Sequence, residues 1–186
     1  SGNMIRSLFA FIPIFLVASC IEAGYKENKS EERAATTARG DTAHAEWSKN
    51  ATIYEVNVRQ YSHAGTINAV ADDLRRLRNL GVKILWLMPI HPIGVEDRKG
   101  TEGSYYSVQD YKAFNPEFGT LQDFDDFVHL AHQEDMKVII DWVANHSAHD
   151  NVWLEQHKDW YILDDQGRTV PPEGTDWSDV AALNYQ

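Results

Sequence analysis

Cysteine is all but absent: Cys20 is the only one in 186 residues. That excludes an internal disulfide framework and any Cys-based zinc cluster. Basic residues are in the minority, with 17 Lys and Arg against 28 Asp and Glu and a formal net charge of −11. Such a balance argues against a nucleic-acid binder held by phosphate neutralisation. The apolar run Leu8 to Ala18, broken by Pro13, falls short of the roughly 20 residues that span a bilayer. No G-x-G-x-x-G follows the first strand candidate and there is no P-loop, so a dinucleotide or nucleotide-phosphate site has no support. What is present is 43% hydrophobic, 11% aromatic and 24% charged, a composition able to bury a core.

The N-terminus reads as an address. Residues 1–3 look like a cloning remnant before the natural start at Met4. Residues 4–20 have the form of a signal peptide, with Arg6 ahead of the apolar run. The end, Val17-Ala18-Ser19-Cys20, resembles a bacterial lipobox, which implies lipid on Cys20 and a membrane-anchored protein at the periplasmic or cell surface. Residues 21–50 are polar, mixed in charge and without periodicity, as expected of a flexible linker. A short helix over Glu31 to Ala38 would carry no chemistry.

From Ala51 the sequence turns globular. Thr52 to Val58 is a strand candidate rich in β-branched and aromatic residues. Thr66 caps a predicted helix to about Leu80, with Ile67, Val70, Leu74 and Leu77 on one face and Gly81 as its stop. Val82 to Met88 reads as a strand covered on both faces. After a long loop, Thr120 and Asp123 resemble a capping box, and Leu121, Phe124, Val128 and Ala131 share the face of a second helix. Met136 to Val143 is the third strand candidate, and Asp141 within it needs a cationic or hydrogen-bonding partner. The order strand, helix, strand, helix, strand implies parallel pairing by right-handed crossovers, with the working face at the C-terminal strand ends.

Asp141-Trp142-Val143-Ala144-Asn145-His146 resembles the D-x-V-x-N-H signature of the alpha-amylase family of glycosidases. Gly103 to Tyr111, Asn115-Pro116-Glu117-Phe118-Gly119-Thr120, Ile53-Tyr54-Glu55 and Leu85 to Ile90 match further segments of that family in order. The resemblance implies the N-terminal part of a (β/α)8 barrel over residues 51–186: three strand–helix units and the start of the loop domain that follows strand three. It implies that Tyr106 stacks on the sugar to be cleaved and that His146 donates to a hydroxyl of the same sugar. Asp141 would orient an Arg of a later signature, and Asp110 would support the loop near Tyr106. Asn145 would bind a structural calcium, as in some members, or only hydrogen-bond, as in others. His146 and His149 alone are too few for a catalytic zinc site. Trp153, Trp160, Tyr161 and Trp177 fall in the loop domain, where sugar stacking and ordinary packing are both open to them.

The family cleaves α-glucosidic bonds with retention, through two carboxylates about 5 Å apart. The segments that would carry them find no counterpart here, so no catalytic residue is assigned and the chain reads as the first part of a longer enzyme. A complete barrel takes about 250 residues, and three strands would leave a long sheet edge and apolar faces exposed. The expected substrate is starch-like α-glucan or a maltooligosaccharide, hydrolysed by the full-length protein. A non-catalytic sugar-binding relative and a transglycosylase are the alternatives.

Overall fold

A computed structural model describes residues 44–186, in two compact units that divide after Lys49. Cys20, the signal peptide and the Glu31 to Ala38 segment lie outside the described residues. The first unit contributes the 3-10 turn Glu46–Ser48, closed by Ser48 Oγ on the Ala45 carbonyl at 2.8 Å and by the Lys49–Glu46 ion pair at 2.6 Å. Among the described residues no helix is long and apolar enough to cross a membrane.

The second unit is built on three parallel strands, β1 Ile53–Val56, β2 Ile84–Leu87 and β3 Lys137–Ile140, in the order β1-β2-β3. Each strand is shorter than its apolar run in the sequence. Asn57 ends β1 because its side chain accepts from Gln60 N at 3.2 Å and caps the short helix α1, Val58–Tyr61. Val58 is therefore a helical core residue rather than the end of a strand.

The first crossover helix is broken in two, α2 Ile67–Asp72 and α3 Leu74–Leu80. Ile67, Val70, Leu74 and Leu77 form one buried face, as the spacing predicts. The break falls at Asp73, whose carboxylate takes the Arg76 guanidinium at 2.8 Å and the Tyr61 hydroxyl. A side chain with such partners competes with the helical backbone. Gly81, at φ +97, closes α3 in the left-handed conformation.

The second crossover helix, α4 Leu121–Gln133, carries the full capping box between Thr120 and Asp123. Hydrogen bonds from Thr120 and Asn68 pull the Asp123 carboxyl down to about 2. Its packed stripe is Phe124, Phe127, Val128 and Ala131, with Leu121 left 59% exposed in the first turn. No α-helix follows β3 among the described residues, only the 3-10 turn Lys158–Trp160. The chain instead forms a short antiparallel pair, β4 His146–Ser147 with β5 Ala181–Ala182, which periodicity could not reveal in two-residue strands.

The strands run in register, so Val56, Leu87 and Ile140 stand side by side. Met88 N then donates to the Val56 carbonyl at 3.0 Å and Asp141 N to the Leu87 carbonyl at 2.9 Å. The segments after all three strands therefore start from one level. Among the described residues neither outer strand of this sheet pairs with a further strand, and Ile53, Ile139 and Ile140 are 58%, 45% and 40% exposed. Exposed strand edges with apolar side chains template association. The 186-residue chain is expected to self-associate in sedimentation velocity, and Ile139→Lys to reduce that association. A wild-type monomer with a sharp two-state melt would contradict this.

Candidate functional site

Two loop segments meet at the C-terminal strand ends. The loop after β2 folds back on itself through Gly94 N to the Ser107 carbonyl and Gln109 N to the Pro92 carbonyl, both 2.8 Å. Ala148 N, after β4, donates to the Val108 carbonyl at 2.9 Å and joins the second segment to the first. The approach is so close that a Cβ on Gly94 would lie 2.3 Å from Ala148 Cβ, which leaves glycine as the residue that fits. Asp150 secures the same seam, since its Oδ2 accepts from Val95 N at 2.9 Å and Gln109 Nε2 at 2.8 Å.

Tyr106 is placed by its neighbours. The Arg59 guanidinium lies 4.7 Å over the Tyr105 ring and pairs with Glu117 at 2.7 Å. Tyr105 in turn packs against Phe118, with ring centroids 6.5 Å apart. The following Tyr106 side chain extends to Asp141, where its hydroxyl donates to Oδ2 at 3.0 Å. Burial and the Asp141 charge push the Tyr106 hydroxyl up to about 12, so at neutral pH it keeps its proton and remains a donor.

Asp141 stands one residue past β3 and is only partly buried. It is not a strand-interior carboxylate, because β3 ends where Ile140 pairs with Leu87. Its hydrogen-bonding partner among the described residues is the Tyr106 hydroxyl rather than a cation.

His146 is 7% exposed and opens β4. Asn145 Nδ2 lies 3.0 Å from its Nδ1. The ring also hydrogen-bonds to the Tyr106 backbone. Burial depresses the imidazole pKa, against smaller opposing effects of the Tyr106 backbone and the Asp179 charge. The ring is neutral at pH 7.

Tyr111 holds this region in place, a role that no sequence signal assigns to it. Its hydroxyl lies 2.8 Å from the Val143 carbonyl and 2.7 Å from the His146 carbonyl. Its ring stacks on Trp153 at 4.7 Å and meets Trp142 at 5.3 Å and His91 at 5.7 Å. Burial raises its pKa. Asp110 accepts from Lys112 N at 2.8 Å and shapes the turn after Tyr106, outside the hollow itself.

Tyr106 and His146 line one hollow of about 530 Å³, together with Lys99, Gly103, Trp177 and Asp179. That volume lies within the range of roughly 300–1,000 Å³ usual for small-molecule sites. Lys99 and Asp179 had no sequence signal; they are brought in by the packing of the two loops, and they pair at 3.4 Å.

His149 faces away from a metal role, with Nδ1 2.8 Å from Thr169 Oγ1 and Nε2 3.2 Å from the Ser178 carbonyl. Asn145 is exposed, and among the described residues no group of three or more His, Cys, Asp or Glu side chains could hold a metal ion.

A partial (β/α) barrel with its polar residues gathered at the C-terminal strand ends defines a class of enzyme-like α/β proteins. Comparison with known proteins narrows it. The family model described as "Alpha amylase, catalytic domain" matches residues 29–180, and the chain belongs to the alpha-amylase family. It is 34% identical over 131 residues to Alpha-amylase 3 of Dictyoglomus thermophilum, covering 62% of this chain and 24% of that protein. It is 32% identical over 142 residues to Maltase A2 of Drosophila melanogaster, covering 70% and 24%. A crystal structure of an alpha-amylase from Lactobacillus plantarum superposes with a TM-score of 0.71 at 48% identity, over 73% of this chain and 32% of that one. Relatives at 30% identity include a trehalose-6-phosphate hydrolase of Bacillus subtilis and a maltosyltransferase of Arcanobacterium haemolyticum, so the family members it resembles include both hydrolases and a transferase. The chain spans about a quarter of the length of the curated relatives it matches.

Tyr111→Phe removes the donor shared by two carbonyls and is expected to cost about 1–2 kcal/mol in denaturant unfolding. Unchanged stability would show that ring packing alone fixes the loop.

Proposed function

We propose that this chain is the sugar-holding part of an alpha-amylase-family glycoside hydrolase that acts with retention on α-glucosidic bonds of starch-like glucans or maltooligosaccharides. The observation that carries the reading is the single hollow shared by Tyr106 and His146. Tyr106 offers a ring to the apolar face of glucose, and its hydroxyl is oriented by Asp141. His146 brings a buried imidazole to the same hollow, suited to hydrogen bonding with a sugar hydroxyl.

Retention needs one carboxylate to attack the sugar carbon and a second acid, about 5 Å away, to protonate the leaving oxygen. The carboxylate lining the hollow, Asp179, is paired with Lys99, and Asp141 is engaged by Tyr106. In this reading, attack and protonation are left to acids outside the described residues. Similarity to a maltosyltransferase keeps a second reading open, in which the glycosyl-enzyme passes to a sugar acceptor instead of water.

The 186-residue chain is expected to bind maltotriose in a ligand-detected NMR titration and to release no reducing sugar from it. Tyr106→Ala should weaken binding about tenfold, the equivalent of 1.4 kcal/mol. Binding undiminished in that variant would refute the sugar-holding role of Tyr106, and turnover above a blank would refute the placing of both reacting acids elsewhere.

We also infer lipid attachment at Cys20, supported by the small residues Val17-Ala18-Ser19 after an apolar run. Expressed in a bacterium fed labelled palmitate, the chain should carry label that Cys20→Ser abolishes. Equal labelling of both would refute the anchor.

A further inference from the structure

Among the described residues that line the hollow, the charged side chains are Lys99 and Asp179, and they engage each other. Lys99 Nζ lies 3.4 Å from Asp179 Oδ1 and donates to the Asp176 carbonyl at 3.0 Å. The two are covered unequally: the Asp179 side chain is 8% exposed and that of Lys99 47%. Asp179 is also fixed along the chain, because the buried Ser107 Oγ donates to its carbonyl at 2.8 Å. A carboxylate held that deep requires its cation, since loss of one partner leaves a buried charge uncompensated. An anion entering the hollow therefore meets a fixed negative charge and an ammonium already matched to it. Asp141, on the Tyr106 hydroxyl at 3.0 Å, adds a second carboxylate beside the site. Tyr106 and His146 are neutral and supply no counter-charge. An uncharged sugar meets no such repulsion.

We propose that Asp179 is the specificity-determining residue of this hollow: by holding Lys99 in an ion pair it admits uncharged sugars and excludes phosphorylated ones. The proposal rests on the reading that the hollow takes α-linked glucose. Exclusion is built from a like charge in the wall, which separates ligands whose sugar rings are the same. A latent anion site follows from it. With Asp179 made neutral, the half-exposed Lys99 loses its carboxylate and faces a hollow that also offers the Ser104 hydroxyl, a pair suited to phosphate oxygens.

The test is a ligand-detected NMR titration of the full 186-residue chain with maltotriose, followed by its displacement with glucose, glucose 1-phosphate and glucose 6-phosphate. The wild-type chain should bind both phosphates at least about tenfold more weakly than glucose. Asp179→Asn should raise the ratio of phosphate to glucose affinity at least about tenfold for one of the two, and added salt should shrink that rise. Asp179→Ser, smaller and equally uncharged, should do the same and covers the case in which the amide disturbs the buried packing. Lys99→Gln combined with Asp179→Asn should remove most of the rise. A wild-type chain that binds maltotriose, and binds either phosphate as tightly as glucose, overturns this proposal alone. No rise in either Asp179 variant, or a rise that survives the loss of Lys99, overturns the assignment to this pair. A wild-type chain that binds no sugar, maltotriose included, overturns the reading of the hollow itself, and this proposal with it.

Discussion

Val56, Leu87 and Ile140 stand abreast in the parallel sheet, and the next residues leave it from the same height. Parallel pairing enforces this, because the crossover helices return the chain to the same end before each strand begins. The buried face of α2 and α3 and the stripe on α4 press the crossovers onto the sheet and hold the register. A slip of one residue in β3 would turn its side chains to the opposite face. It would also detach Asp141 N from the Leu87 carbonyl and move the Asp141 carboxylate from the Tyr106 hydroxyl. The chemistry at the strand ends is thus a consequence of strand alignment made far from the hollow.

On that platform the site is made of neutral donors steadied by charges that are already engaged. Tyr106 keeps its proton because burial and Asp141 both oppose ionisation. His146 stays neutral because burial outweighs the influence of Asp179. Asp141 faces Tyr106, and Asp179 faces Lys99. Such a surface suits a neutral polyol better than an ion, since it offers hydrogen bonds and ring faces without a free charge to be satisfied.

Most of the fold was legible because its signals are local. The face Ile67, Val70, Leu74 and Leu77, the Thr66 and Thr120 caps and the Gly81 stop each depend on residues within a turn or two. The break at Asp73 was not legible, because it depends on Tyr61, twelve residues away in sequence. Leu121 was misplaced because spacing marks a helical face without saying where the partner surface ends. Tyr106 and His146 were legible through motif resemblance. Lys99, Tyr111 and Asp179 were not, since each acts across the seam between two loops: Tyr111 reaches the carbonyls of Val143 and His146, more than thirty residues on. No periodicity encodes a contact of that kind.

The seam also explains why the two loop segments behave as one wall. Gly94 admits Ala148 at contact distance, Asp150 ties both strands of the first loop, Tyr111 grips the entry to β4, and Lys99 grips the approach to β5. Because β4 pairs with β5, the last two grips act on neighbouring strands of one small ribbon. His146 lies on one strand of that ribbon and Asp179 just before the other. The hollow between them and Tyr106 is therefore set by short bonds on three sides, which is the preorganisation a weakly bound neutral ligand requires.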